Sequence, residues 1–126
     1  LMVSADDVTD VTGGDTNPWK TGKTLTAFDI CRNYEGDGFG DWRLPRLSEL
    51  ALLYLNRGSL EAKRGFAPLS GTYWSGSEYL VSDSKVDKRH SEQAWGINFD
   101  ATNPGNAAPY DKTTKKFKIR CVRQTQ

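Results

Sequence analysis

The apolar positions of this chain change their period partway along it. Over "TLTAFDICRNY" (24–34), Ala27, Cys31 and Tyr34 recur at i, i+4 and i+7 with Phe28 beside them. That spacing predicts an amphipathic helix with Thr24 as its N-cap. "EGDGFG" (35–40) follows, and its glycines end the helix in tight turns. "LSELALLYLN" predicts a second helix over 47–57, with Leu47, Leu50, Ala51, Tyr54 and Leu55 on one broad face. Gly58 stands where a C′ glycine closes a helix.

Beyond a loop at 58–71 the period shortens. "TYWSGSEY" (72–79) and "AWGINF" (94–99) are rich in aromatic and β-branched residues. In the second, Trp95, Ile97 and Phe99 share one face and Ala94, Gly96 and Asn98 the other. "KKFKIRCV" (115–122) alternates more cleanly. Phe117, Ile119 and Cys121 point inward and Lys116, Lys118 and Arg120 outward, which predicts a half-buried antiparallel strand, 115–123, with a basic outer face. Two long polar loops, 80–93 and 100–114, separate these strands, and long loops in compact domains are either functional or disordered. Residues 1–23 read as an irregular arm with a short edge strand at 1–4. Two helices followed by separated strands make an α+β fold.

Composition adds bounds rather than detail. The 126 residues fit one domain, 1–126, able to bury roughly two-thirds of the surface the unfolded chain exposes. With 37% hydrophobic and 26% charged residues the chain is of the folded, globular kind. A net charge of +1 gives no field that recruits nucleic acid, and no apolar run approaches the ~20 residues of a membrane span. No basic-then-apolar leader precedes Leu1-Met2-Val3, as in an excised fragment, so location is not read from the N-terminus. Cys31 and Cys121 lie too far apart for a CxxC motif and, with one His, make a poor zinc set. Composition leaves open whether they are free thiols or a disulfide.

"GFGDWRLPRLSEL" (38–50) is the most distinctive stretch. Asp41 beside Arg43 suggests a substrate clamp, yet arginine cannot act as a general base and no nucleophile–His pair accompanies it. As scaffold, each residue has a packing role. Trp42 and Leu44 anchor the loop, Pro45 stiffens the start of the helix, and Asp41 and Arg43 satisfy local groups.

The ordered set "GDWRLP..SEL", "YWSGSEY", "AWGINF" and "KIRCVR" resembles the C-terminal domain family of the bacterial collagen-like adhesin Lcl over residues ~24–123. The resemblance implies a C-type-lectin-like fold: two helices on a twisted antiparallel sheet with long loops. It also implies a non-catalytic adhesion module at the bacterial cell surface, part of a larger exported protein. The partner would be a glycan or surface receptor, or neighbouring subunits of a pilus or surface assembly. It further implies a disulfide from the first helix to the last strand, Cys31 to Cys121.

The sequence departs from the family pattern in one place. Arg46 stands where the family has the threonine of a Thr-x-x-Glu capping box, so Ser48 or Asp41 is expected to serve the helix start. The calcium motifs of true C-type lectins do not occur; "TNPG" (102–105) lacks the acid, so neither metal nor cofactor is expected. Formylglycine-generating enzymes share the implied fold but use reactive cysteines, which a bridge would consume.

The candidate ligand residues are Tyr79, Lys88, Arg89, Asn103, Tyr110 and Lys112, mixing aromatic faces, amides and cations around the long loops. Lys85 and His90 extend the first basic loop. Lys115, Lys116, Lys118 and Arg120 make a second basic run, which also reads as a solvated face. Tyr73 is a weaker candidate. Asn98, Asp100 and Asn106 offer carbohydrate-type contacts but are ordinary turn residues too. Trp74 and Trp95 suit sugar stacking, though their positions within strands favour the core.

Overall fold

In the computed structural model, which describes residues 1–9, 16–21, 25–79, 92–100 and 106–125, aromatic pairing organises the centre of the molecule. β5 (Thr72–Glu78) and β6 (Gln93–Asn98) run antiparallel, with Tyr73 opposite Ile97 and Trp74 opposite Gly96. Tyr73 and Trp74 therefore face opposite sides, and each side has its own core. Trp74 joins Trp19, Ala27, Ile30, Trp42, Leu44 and Ile119. Tyr73 joins Leu50, Leu53, Leu69, Ile97, Phe99 and Val122. A sheet covered on both faces buries consecutive residues, which hides the alternation expected of a one-faced strand.

Two helices appear where they were expected, with different boundaries. α1 (Ala27–Arg32) is shorter than 24–34 and is capped by Thr26 rather than Thr24: Asp29 accepts hydrogen bonds from the Thr26 N–H and hydroxyl at 2.9 and 3.2 Å. α2 (Leu47–Leu55) closes at Asn56, whose side chain donates to the Leu52 carbonyl at 2.9 Å. Gly58 is not the stop. It lies inside a third helix, α3 (Arg57–Glu61), in the stretch expected to be loop.

The sheet also differs from expectation. β7 (Ala107–Asp111), in a segment expected to be loop, pairs antiparallel with β6 from Ile97–Ala107 to Gln93–Asp111. Its Ala-Ala-Pro sequence has weak β propensity, and the open edge of β6 overrides that. Pro109 sits opposite Trp95 in a pair without ladder bonds, since the flanking pairs make them (Asn98 N–H to Asn106 O, 3.0 Å; Lys112 N–H to Glu92 O, 3.0 Å). Its missing N–H therefore faces away from β6 and blunts the sheet edge.

The last segment is not an antiparallel member of this sheet. It divides into β8 (Lys116–Phe117), paired with β2 (Asn17–Pro18), and β9 (Val122–Arg123), paired with β1 (Met2–Val3). Between them a single parallel bridge joins Lys118 to Tyr73. The N-terminal arm lies along its other side through Ser4 N–H to Cys121 O and Val8 N–H to Ile119 O, both 2.8 Å. β3 (Lys20–Thr21) and β4 (Leu25–Thr26) form a small ladder leading into α1. Flanked on both sides, Ile119, Arg120, Cys121 and Val122 are all buried. Arg120 is thus the exception to the expected basic outer face. Cys31 and Cys121 are joined by a disulfide spanning 90 residues, as the resemblance implied.

Candidate functional site

The distinctive motif is absorbed by the fold. Asp41 forms a two-point ion pair with Arg123 at 2.7 and 3.2 Å, and Arg43 one with Glu49 at 2.6 and 2.7 Å. Arg43 and Val122 also exchange backbone hydrogen bonds at 2.8 Å, while the buried Trp42 indole donates to the Gly36 carbonyl at 3.0 Å. The clamp therefore ties "DWRLP" to "SEL" and to "RCVR". Hydrogen bonding from Arg43 holds the Glu49 carboxyl down at about 2. The Arg123 side chain likewise holds Asp41 low. The missing hydroxyl cap at Arg46 is replaced by neither Ser48 nor Asp41. Ser77 of β5 accepts the Leu47 N–H at 2.9 Å, and Glu49 accepts the Arg46 N–H at 2.9 Å.

Arg120 is a second structural cation, with no exposed surface. It donates to the carbonyls of Ser4, Ala5 and Ala67 and to Asp7 at 3.1 Å, over the Phe66 ring. Asp7 also accepts the Tyr73 hydroxyl proton at 2.7 Å, and burial pushes the Tyr73 phenol well above its usual range.

An aromatic pair outside both cores lies at one end of the three-stranded sheet, beyond the N-terminus of α2. Tyr79, 36% exposed, sets its ring against half-buried Trp95 with centroids 5.7 Å apart in an edge-to-face arrangement. Among the described residues, neither ring packs into either core. Pro109 opposes Trp95 on the neighbouring strand, and Asp111 opposes Gln93. Backbone donors from Thr113 and Thr114, at 2.9 and 3.0 Å, hold the Asp111 carboxyl at about 2.

The other expected site residues scatter. Tyr110 opposes Ala94, so it lies on the sheet face opposite Trp95, its ring against Phe117 (4.7 Å) and Trp74 (6.5 Å). Lys112 is buried: its ammonium is held by Glu78 at 2.8 Å and lies 4.5 Å from the centre of the Trp19 ring, a poor state for capturing an external anion. Of the second basic run only Lys115 and Lys116 are exposed; Lys118 is engaged by Ser70 and Asp7. Asn98 and Asp100 brace the turn after β6, accepting the N–H groups of Asp100 and Gly71 at 2.8 and 2.7 Å.

Lys85, Lys88, Arg89, His90 and Asn103 lie outside the described residues. Their anchors are placed: Tyr79 and Glu92 bound the first long loop, and Asp100 and Asn106 bound the second, at opposite ends of β6. Sequence reasoning found Tyr79 but assigned Trp95 to the core; its half-buried state follows from lying beyond the reach of α2.

Among the described residues no cluster of three or more His, Cys, Asp or Glu side chains is placed to hold a metal. No helix among them is long and apolar enough to cross a membrane. The family model of the Lcl C-terminal domain matches residues 4–123. No curated protein matches the chain. The chain belongs to the Lcl C-terminal domain family, whose namesake is a bacterial surface adhesin.

Proposed function

We propose that this member of the Lcl C-terminal domain family is a C-type-lectin-like adhesion module of an exported bacterial protein, binding glycan through the sheet end marked by Tyr79 and Trp95. The observation that carries the reading is that aromatic pair: two rings in edge contact, partly open to solvent and outside both cores. Aromatic faces suit the C–H faces of pyranose rings, and the fixed charge of Asp111 at the neighbouring register position offers an acceptor for hydroxyls. Lys88 and Arg89, which follow Tyr79 in the sequence, are the cations proposed for anionic sugars. Lys112 is buried, so it does not belong to the proposed contact set. Both cysteines of the chain are held in the disulfide, which leaves thiolate chemistry no residue to run on.

Binding of the isolated domain to a glycan array, followed by titration of the strongest hit, tests this. Trp95→Ala and Tyr79→Ala are each expected to weaken binding by roughly tenfold, the loss of one stacking or van der Waals face. EDTA is expected to leave it unchanged. For an anionic glycan, binding falls as salt rises from about 50 to 500 mM, because exposed charge contacts are screened. A hit that keeps full affinity in both aromatic variants would place the site elsewhere.

A further inference from the structure

At the other end of α2 the chain forms a groove of about 590 Å³ between β1 and the segment after α3, lined by Met2, Val3, Leu60, Lys63, Arg64 and Phe66 among others. A neighbouring hollow of about 320 Å³ shares Val3, Leu60 and Lys63 and adds Leu52 and Leu53. Three independent features meet there. The first is a strand edge. Val122 exchanges its backbone hydrogen bonds with Arg43, so the Val3–Val122 pair is the kind without ladder bonds. The N–H and C=O of Val3 consequently point away from β9, on the side where the groove lies, and no described residue takes them. The second is an apolar floor of Val3, Leu60 and Phe66, with Leu52, 53% exposed, in the adjoining hollow. The third is charge. Lys63 and Arg64 are both exposed, neither side chain has a partner among the described residues, and against them the lining sets one carboxylate, Asp37.

We propose that this groove docks an extended acidic–aliphatic peptide segment, which adds as a strand beside β1. The free N–H and C=O of Val3 take its backbone, an aliphatic side chain fills the floor, and a neighbouring carboxylate meets Lys63 and Arg64. The contrast with β7 supports the assignment: that edge is blunted by Pro109, whereas β1 carries no such guard. The groove shares no lining residue with the Tyr79–Trp95 face, so this proposal stands apart from glycan binding.

The probe is a fluorescein-labelled octapeptide of alternating valine and glutamate, titrated by polarisation and followed by amide chemical shifts of the whole domain. Saturable binding below ~1 mM is expected, with shifts at Val3, Leu60 and Lys63. The double variant Lys63→Glu, Arg64→Glu changes only exposed side chains and is expected to keep its melting temperature while weakening the peptide at least about tenfold. N-methylation of alternate peptide amides is expected to abolish binding. Equal binding of a valine–lysine peptide, retention by the N-methylated peptide, or no saturation by ~1 mM overturns the proposal. So do shifts at these amides that follow protein concentration without peptide, since they would assign the face to a second copy of the chain.

Discussion

The clamp around Asp41-Trp42-Arg43 and the sheet end around Tyr79 and Trp95 show how differently this chain uses its conspicuous residues. In the clamp every charge is answered: Asp41 by Arg123, Arg43 by Glu49, and the Trp42 indole by a carbonyl. At the sheet end, two aromatic rings pair with each other and, among the described residues, with no other ring. The DWRLP, SEL and RCVR residues are consumed in holding α2 to the last strand, so they specify the fold and leave nothing over for a ligand. What stays outside both cores, Tyr79 and Trp95, belongs instead to the two strand motifs, at one end of the sheet. The comparison predicts that changes in the clamp and the buried network register in stability, and changes at the sheet end in binding.

The largest effect expected on the scaffold side is reduction of Cys31–Cys121. Closing a loop of 90 residues removes about 4–5 kcal/mol of unfolded-state entropy in the chain-entropy model. Reduction should lower the melting temperature by ~10 degrees or more, read by thermal unfolding with and without reductant. An unchanged melting temperature would mean that the backbone network alone fixes the last segment.

Arg120→Met comes next. The substitution keeps the length of the stem but takes the nearer of two cations from half-buried Asp7, leaving it Lys118 at 3.8 Å, and removes the side-chain donor to the carbonyls of Ser4 and Ala67. A loss of about 3–5 kcal/mol is expected in denaturant unfolding. Removing Asp7 as well should recover part of it, because the half-buried charge that lost its nearer cation is then gone.

Glu49 gives a pH-dependent version of the same test. Its carboxyl is held at about 2 in the folded protein, below its ordinary 4.5. A depressed folded value means that the stabilisation is fully present above the unfolded value and is lost as pH falls from about 4.5 towards 2. Its partner Arg43 is 38% exposed at the side chain, so solvent screening reduces the effect to about 1–2 kcal/mol. Glu49→Gln should lose that amount at neutral pH and flatten this part of the acid limb. An acid limb identical to that of the parent protein would remove the Arg43 pair from the stability account.

How much of this was legible in the sequence depends on whether a residue's role was set locally. Both main helices, the β5–β6 pair and the buried Trp42, Leu50 and Trp74 follow from period and residue type. β7 did not, because two alanines and a proline carry no strand signal and the open edge of β6 decides the matter. The burial of Arg120 was hidden for a related reason: alternation reads as one wet face only when one side is covered, and here the N-terminal arm and β5 cover both. Lys112 was read as a free cation because its partners, Glu78 and Trp19, lie far away in sequence. For the candidate site, Tyr79 was legible as an aromatic at a strand end. Trp95 was not, since its exposure depends on where α2 stops.

At the sheet end, Tyr79→Ala removes one edge-to-face contact from a ring that belongs to neither core. A change of about 1 kcal/mol or less is expected in thermal unfolding, against the tenfold loss in glycan affinity. A larger destabilisation would move Tyr79 to the scaffold side of the comparison.

The smallest effect belongs to Arg46, where the chain departs from its family. A threonine here restores a hydroxyl at the N-cap of α2, able to accept the N–H of Ser48 or Glu49. In isolation such a cap contributes about 1 kcal/mol. The first turn is already partly served, however: Ser77 accepts the Leu47 N–H from across the sheet, and Glu49 accepts that of Arg46. Arg46→Thr is therefore expected to stabilise by only about 0.5 kcal/mol. The same substitution should gain more in a Ser77→Ala background, where the helix start has lost its external acceptor. That coupling, measured as a double-mutant cycle by thermal unfolding, separates two accounts of the departure. Equal gains in both backgrounds would show that Ser77 and the cap act independently. A larger gain without Ser77 would show that a hydroxyl from β5 has taken over part of what the family places on the helix itself.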